Sequence, residues 1–161
     1  TVTAATVRAL GGLGVAAKAV GIESDLRRDE PYAAYGELEV PVVTAHAGDV
    51  AARFHVRAQE AHDSLRLARE VAGRLPGGAW SVPLTETPAT GAVAVAGAEG
   101  PRGTSWIWLR AGGDGTVDRV RLRTASFANW PIVAAAVPGD LVPDFPLINK
   151  SFNLSYSGHD L

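Results

Sequence analysis

The sequence predicts an α+β fold, in which one long amphipathic helix and shorter helices pack with a small antiparallel sheet of two or three strands. Two observations predict this class. Residues 99–130 alternate apolar and polar side chains on either side of a glycine-rich turn, as a β-hairpin does. Residues 49–75 instead repeat apolar side chains at steps of three and four, which is the period of an α-helix. At 161 residues, we expect a single domain, 1–161.

The predicted hairpin has two contrasting faces, because successive residues of a strand point to opposite sides. One face carries two tryptophans and three arginines: Trp106, Trp108, Arg119, Arg121 and Arg123. The other carries four aliphatic side chains that we expect in the core: Ile107, Leu109, Val120 and Leu122. Val93 and Val95 alternate in a way that could add a third strand. Because tryptophan is costly to leave in water, we expect the tryptophan face to be covered; a merely solvated face is the alternative.

The long helix is the clearest single element. Its apolar stripe consists of Val50, Phe54, Ala58, Ala61, Leu65, Ala68, Ala72 and Leu75. Asp49 can cap its first turn, and Pro76 is followed by two glycines that end it. His55 and His62 share one face, but no further ligand is spaced to complete a metal site, so we interpret them as surface residues.

The segments around this helix give weaker indications. Residues 3–20 carry a helical stripe of small side chains, and their glycines match a dinucleotide-binding pattern without the preceding strand that such a site needs. Residues 21–43 contain Pro31 and Pro41 and predict a loop with one short helical turn near residues 32–38.

The segments that follow the hairpin predict one more helix. Residues 126–137 favour a helix that packs Phe127, Trp130 and Val133. Ser157, His159 and Asp160 are the residue types of a catalytic triad, but near-adjacent residues cannot place a nucleophile, a base and its orienting group in line.

Composition excludes several classes of function. Fifteen basic residues stand against seventeen acidic ones, so neither nucleic acid nor an anionic membrane is expected as the main partner. The chain has no cysteine, which excludes disulfides, cysteine-ligated zinc or iron–sulfur clusters and a thiol nucleophile within it. It also has no methionine, and we interpret it as a piece of a longer protein. Its apolar runs are too short to cross a bilayer, so we expect it to be soluble as given.

Ordered motifs along nearly the whole chain resemble a known family. They are DLRRDEPYAAYGELEVPVV from Asp25, GDVAARFHVRAQEAHDSLR from Gly48, GPRG at residues 100–103 and RTASFANW from Arg123. This order resembles the large-subunit family shared by respiratory complex I and the membrane-associated nickel–iron hydrogenases, including formate hydrogenlyase. The resemblance implies that the chain is the C-terminal part of a longer redox-complex subunit.

The same resemblance implies partners and a location. It implies an iron–sulfur small subunit and other subunits of a membrane-associated complex, with iron–sulfur clusters in those partners and a quinone in the whole complex. No cofactor is expected on this segment itself. The implied location is cytoplasmic and peripheral, on the inner face of the cell membrane.

In this family the matching motifs surround the metal cavity, which implies a set of candidate site residues. These are Arg27, Arg28, Asp29, Glu99, Arg102, His159 and Asp160. Two departures matter. Ser155 and Gly158 occupy the positions of the family's two C-terminal cysteine ligands, and neither can replace a thiolate on a soft metal, so no bound metal is expected. Thr104 stands where relatives carry a glutamate, which puts a proton-transfer role there in doubt.

Three hypotheses therefore remain open. The first is a redox-complex subunit without nickel, whose former metal cavity serves a quinone, proton transfer or nothing. The second is a structural module within such a complex. The third is a free-standing small-molecule enzyme, which no constellation of residues supports. We also expect self-association through the tryptophan face or the tail from Phe145 to Phe152, because both carry large apolar side chains.

Overall fold

The computed structural model describes residues 1–79, 81, 83 and 86–159, and it confirms the α+β class. Within these residues the helices are α1 (Ala4–Ala9), α2 (Gly14–Lys18), α3 (Leu26–Asp29), α4 (Val50–Arg74), α5 (Ala125–Ala136) and α6 (Phe145–Phe152). The strands are β1 (Val93–Gly100), β2 (Gly103–Ala111) and β3 (Val117–Arg123), which form one antiparallel sheet in the order β1-β2-β3. None of the helices described combines the length and apolarity that a membrane span requires.

The hydrophobic core lies among the helices, where α1, α2, α5 and α6 meet. Its buried members include Val7, Ala16, Ala17, Ile132, Val133, Ile148 and Phe152. Alanines on α2 allow the close approach that the small-residue stripe predicts. Each large aliphatic or aromatic side chain buried here contributes about 1.5–3 kcal/mol relative to exposure. The core therefore belongs to the helical layer, and the sheet adds little to it.

The first helical segment is interrupted, contrary to the single stripe over residues 3–20. Gly11 has a φ of +68° and Gly14 a φ of +51°, so the chain turns between α1 and α2. A side chain at position 14 would lie 2.4 Å from the backbone of Arg102, which means that only glycine permits this contact. Gly14 therefore serves close backbone packing, whereas Gly11 supplies the positive φ of the turn.

Helix α4 forms as predicted, but its apolar stripe faces away from the core. Asp49 caps the helix by accepting a hydrogen bond from the Ala52 N–H at 2.7 Å. Phe54, Leu65 and Leu75 are nevertheless 43, 61 and 69 % exposed. The buried positions of the helix are Ala52, Arg53, Val56 and Leu67. The stripe is not the inner face because a polar residue, Arg53, occupies the face that meets α6.

The buried Arg53 side chain contacts three partners. Its Nε donates to Ser151 Oγ at 2.8 Å, and its Nη1 donates to the Gly48 carbonyl at 3.0 Å. Its guanidinium also lies 4.0 Å from the centre of the Phe152 ring. Burial lowers the pKa of Arg53 to about 10, against the attraction of Asp49. The contact joins α4 to α6, which explains why this face of α4 is the inner one.

The strand register confirms the two faces of the hairpin and the third strand. Trp106 and Trp108 lie opposite Arg123 and Arg121, while Ile107 and Leu109 lie opposite Leu122 and Val120. Residue pairs from Val93↔Arg110 to Gly100↔Gly103 join β1 to β2.

The expected burial of the aliphatic face was wrong. Val120 and Leu122 are 42 and 49 % exposed, and Ile107 and Leu109 are only partly buried. The reason is that helices pack against the sheet near the β1–β2 turn, where Gly103 meets the Leu13–Gly14 backbone. The remainder of the sheet extends beyond them.

The final segments are more ordered than the sequence indicated. Helix α5 matches the predicted helix, with Pro131 inside it, but Phe127 is half-exposed instead of packed. The expectation of an uncovered tail from Phe145 to Phe152 was wrong in part, because this tail is the helix α6, whose Ile148 and Phe152 are buried. Its large apolar side chains Phe145 and Leu147 remain exposed.

Asn129 on α5 holds two turns together from a fully buried position. Its Oδ1 accepts from the Leu13 N–H at 2.9 Å, and its Nδ2 donates to the Leu13 carbonyl at 3.2 Å and to the Arg102 carbonyl at 3.0 Å. One amide thereby joins the α1–α2 turn, the β1–β2 turn and α5. The position of the sheet relative to the helices depends on this side chain.

We predict that Asn129→Ala lowers the free energy of unfolding by about 2–4 kcal/mol, because it leaves a buried donor and two buried acceptors unpaired. Asn149→Ala is the matched control, since the Asn149 amide bonds the exposed Tyr156 hydroxyl, and it should cost less than about 1 kcal/mol. Urea unfolding of both variants measures the difference. Equal losses of unfolding free energy in the two variants would show that the Asn129 amide does not join these elements more strongly than a surface hydrogen bond does.

Candidate functional site: a charged cleft beside the long helix

A cleft of about 790 Å³ lies between the outward face of α4 and the β1–β2 turn. Part of the exposed stripe of α4 forms its apolar wall. Charged side chains from three segments lie at its edges. The lining residues are Arg27, Phe54, Arg57, Ala58, Glu60, Ala61, Ser64, Leu65, Glu99, Gly100, Pro101 and Asn153. The cleft therefore suits a ligand with an apolar body and a polar end.

Behind the cleft lies a buried ion network centred on Lys18. The Lys18 Nζ lies 2.8 Å from Asp25 Oδ2 and 2.6 Å from Glu60 Oε1. Asp25 also accepts two hydrogen bonds from Arg27, at 2.8 Å from Nε and 2.7 Å from Nη2. Lys18 and Asp25 are fully buried, whereas Arg27 and Glu60 reach the cleft. The network thus connects α2, α3 and α4 and fixes one wall of the cleft.

The pKa values of this network reflect competition between burial and pairing. Burial alone would raise the pKa of Asp25, but the hydrogen bonds from Arg27 and Lys18 outweigh it and lower the pKa to about 2. Burial would lower the pKa of Lys18, but Glu60 and Asp25 together raise it above its ordinary value. Both groups are therefore charged at neutral pH, as a buried pair must be to offset its loss of hydration.

Glu99 faces the same cleft from the β1–β2 turn. Its Oε2 accepts from the Thr104 hydroxyl at 2.6 Å and from the Leu26 N–H at 3.2 Å, and its own N–H donates to the Tyr32 hydroxyl at 3.0 Å. Burial raises the pKa of Glu99, although the bonds from Thr104 and Leu26 oppose this shift. Glu99 is consequently the cleft carboxyl best suited to hold a proton and release it.

The structure brings some of the predicted site residues together and separates others. Arg27 and Glu99 line the cleft. Arg102 lies beside it, where its Nε donates to the Asn153 carbonyl. Arg28 and Asp29 are exposed and paired with each other at 2.8 Å, which agrees with the solvated charge cluster that such a sequence usually forms.

His159 lies at a second place, among aromatic rings. Its ring centre is 5.6 Å from that of Phe127 and 6.1 Å from that of Trp130. His159 does not line the cleft. Asp160 is outside the described residues.

Ser155 and Gly158, which the motif resemblance implies at the ligand positions, do not offer the donors of a nickel site. Ser155 Oγ accepts the Gly158 N–H at 3.1 Å and lies 3.1 Å from Ser157 Oγ, so this hydroxyl is engaged within its own turn. Gly158 has no side chain to offer. Across residues 1–79, 81, 83 and 86–159, no group of three His, Cys, Asp or Glu side chains is placed to hold a metal ion. Hydroxyl and hydrogen cannot supply the thiolate donors that a soft metal centre needs.

Sequence reasoning missed Lys18 and Asp25 as parts of the site. Their partners lie up to 42 positions away in sequence, and no local pattern predicts such pairing. One signal was present, since Lys18 is the single charged residue in the otherwise apolar run from Leu13 to Ile22. A lone lysine among buried positions indicates a buried acidic partner.

Comparison with known proteins identifies the family. The sequence model described as "Respiratory-chain NADH dehydrogenase, 49 Kd subunit" matches residues 1–92 and 83–160. The chain is 42 % identical over 145 residues to the D 2 subunit of NADH-quinone oxidoreductase from Salinispora arenicola, covering 88 % of this chain and 38 % of that protein. It is 34 % identical over 154 residues to formate hydrogenlyase subunit 5 of Escherichia coli, covering 95 % and 27 %.

A third relative is hydrogenase-4 component G of Escherichia coli, which is 37 % identical over 142 residues, covering 86 % of this chain and 25 % of that protein. These matches define a large subunit of the kind shared by quinone oxidoreductases and hydrogenases. The chain belongs to the family of the 49 kDa subunit of respiratory-chain NADH dehydrogenase. The resemblance drawn from the motifs is thereby confirmed. The chain spans about two fifths or less of the length of these relatives.

We predict that Asp25→Asn removes an acid-dependent part of the stability. The folded-state pKa of about 2 is below the ordinary value of 3.8, so the ionised group stabilises the fold above pH ~4 by about 2 kcal/mol, and this contribution is lost as pH falls towards ~2. The difference in free energy of unfolding between wild type and Asp25→Asn, measured by urea unfolding, should therefore narrow as pH falls through that range. The exposed Asp140→Asn serves as control, and a gap independent of pH would contradict the assignment.

We predict the opposite sign for Glu99→Gln. Because the folded-state pKa of Glu99 is raised, its ionisation costs stability, and this cost grows as pH rises above the ordinary carboxyl pKa. Glutamine keeps an oxygen that can accept from Thr104 and Leu26 but cannot ionise. Glu99→Gln should thus be more stable than wild type at pH 7–8 and indistinguishable from it at acidic pH, whereas the exposed Glu30→Gln should show no such trend. A destabilised Glu99→Gln at neutral pH would overturn this interpretation.

Proposed function

We propose that this chain is part of the large subunit of a complex I-like or hydrogenase-like membrane-associated oxidoreductase complex, one in which the C-terminal nickel ligands are absent. The proposal is supported by the absence of cysteine from a chain that matches this family along 88–95 % of its length. The motif resemblance implies Ser155 and Gly158 at the two ligand positions. Membership of the family indicates a subunit of a redox complex, and in this proposal these two residues favour the members of the family that bind no nickel.

The names of the relatives support an electron-transfer role. They are a NADH-quinone oxidoreductase subunit, a hydrogenase component and a formate hydrogenlyase subunit. In this proposal the chain assembles with an iron–sulfur small subunit and further subunits, whose clusters supply electrons. It lies on the cytoplasmic side, peripheral to the inner face of the membrane.

The cleft supports a quinone as the ligand. Quinone reduction takes up two electrons and two protons, so the site needs a proton-holding group near an apolar wall. Phe54, Ala58 and Leu65 provide the apolar wall, and Glu99 provides a carboxyl that holds its proton more tightly than usual. Arg27 offers a fixed cation beside it, because its guanidinium is tied to Asp25. In this proposal Glu99 releases one of the two protons towards the bound quinone, the second proton comes from solvent, and the neighbouring cation stabilises the carboxylate that results.

A non-catalytic structural or interaction module is the second candidate. The observation that favours it is the large side chains left uncovered on α4 and β3, such as Leu65, Val120 and Leu122. Val120 and Leu122 share one face of β3, and an exposed apolar face of this kind usually marks a contact with another part of a protein or with a partner. In that case the cleft would serve packing alone.

Purification of the complete complex that contains this chain tests both candidates. Under anaerobic conditions we expect less than stoichiometric nickel by elemental analysis, and quinone reduction without hydrogen uptake. We predict that Glu99→Gln slows quinone reduction about tenfold or more with unchanged subunit composition, because it removes a proton donor. Glu30→Gln is the matched control. Stoichiometric nickel would contradict the proposal that the subunit lacks a nickel site. Unchanged quinone turnover by Glu99→Gln would favour the non-catalytic structural module.

A further inference from the structure

One face of the sheet gathers four arginines and two tryptophans. Cross-strand partners share a face, so the register places these residues together: Trp106 opposite Arg123, Trp108 opposite Arg121 and Arg110 opposite Arg119. We call this set the arginine face. Arg119, Arg121 and Arg123 are exposed along the whole of β3. The net charge of the chain is −2, so this concentration of positive charge is local to the sheet.

The arrangement is unfavourable for the isolated fold. Arg110 and Arg119 lie directly opposite each other, and like charges in that relation destabilise a sheet. Asp118 balances only Arg110, at 2.5 Å from its Nε. Arg119, Arg121 and Arg123 form no ion pair with any residue that the structure describes. Stability of the sheet does not account for three unpaired arginines, whereas an acidic ligand does.

One end of the face is partly covered, although its Trp106 is still 38 % exposed, and the rest is open. A side chain at Gly97 would lie 2.8 Å from the Trp106 ring and 3.0 Å from Leu26, so this ring packs across the glycine and against α3. Beyond this point Val93 and Val95 extend the same face and are 55 and 61 % exposed. The open part therefore presents a row of guanidinium groups on β3 and exposed valine side chains on β1, two strands away.

We propose that the arginine face docks an extended acidic segment of a protein partner. Alternate residues of β3 repeat about every 6.7 Å, which is also the repeat of alternate side chains in an extended peptide lying along it. Carboxylates on every second residue of such a segment would meet Arg119, Arg121 and Arg123 in turn, and arginine pairs with carboxylates through two hydrogen bonds at once.

The overall charge favours a protein over a nucleic acid. A polyanion is drawn by a long-range positive field, and a chain with fifteen basic and seventeen acidic residues does not provide one. A short acidic segment needs only the local row of arginines. The inference concerns a surface that is separate from the cleft, so it stands or fails independently of the proposed oxidoreductase function.

The test measures binding of the whole chain to a short fluorescent peptide in which glutamate alternates with threonine, which favours an extended conformation. Fluorescence anisotropy at low ionic strength follows the titration. We expect saturable binding that weakens with added salt, and about tenfold or more weaker binding by the double variant Arg119→Glu/Arg121→Glu. Arg8→Glu/Arg69→Glu is the matched control, because it changes the net charge equally at two other exposed arginines and should bind as wild type does.

Three outcomes would overturn the proposal. The first is an equal loss in both double variants, which would mean that total charge alone governs binding. The second is tighter binding of a single-stranded oligothymidylate than of the peptide through the same arginines. The third is a dimer of the free chain in sedimentation that Arg119→Glu/Arg121→Glu abolishes, because the face would then belong to a second copy. Circular dichroism of each variant verifies that the sheet is retained.

Discussion

A buried ammonium group at Lys18 is the constraint on which the arrangement of the helices around the cleft depends. An unpaired charge in this position would be too costly to keep, so Asp25 and Glu60 must lie within hydrogen-bonding distance of it. That requirement fixes the distance between α2 and α4 and holds the start of α3 beside them. Removing one partner of such a pair costs about 3–5 kcal/mol, more than most core contacts contribute individually.

The properties of the cleft follow from this network. Asp25 holds the guanidinium of Arg27 in place, and the next residue, Leu26, donates its N–H to Glu99. Burial is the main cause that raises the pKa of Glu99, and the Asp25 carboxylate adds to this shift while Lys18 opposes it. The network that positions the wall of the cleft thus also acts on the pKa of the carboxyl that faces it.

The local elements could be predicted from the sequence, but the faces that they bury could not. Periods of 3.6 and 2 residues are properties of the backbone, and they correctly indicated α4, the hairpin and α5. The burial of a side chain depends on which elements pack against it, so burial need not follow hydropathy. Arg53 is buried, for example, whereas Leu122 is half-exposed. For the candidate site, the motif resemblance included Arg27 and Glu99, which line the cleft, whereas Lys18 could not be assigned because its partners are distant in sequence.

The C-terminal turn from Ser155 to Gly158 is held against α5 by hydrogen bonds at both of its ends. Ser126 Oγ accepts the Ser155 N–H at 3.1 Å, and Trp130 Nε1 donates to the Ser155 carbonyl at 3.3 Å. The Thr124 hydroxyl donates to the Gly158 carbonyl, which fastens the other end of the turn to the start of α5. Each such bond contributes about 1 kcal/mol net. Because α5 also carries Asn129, which bonds the β1–β2 turn, one helix positions both the C-terminal turn and the sheet.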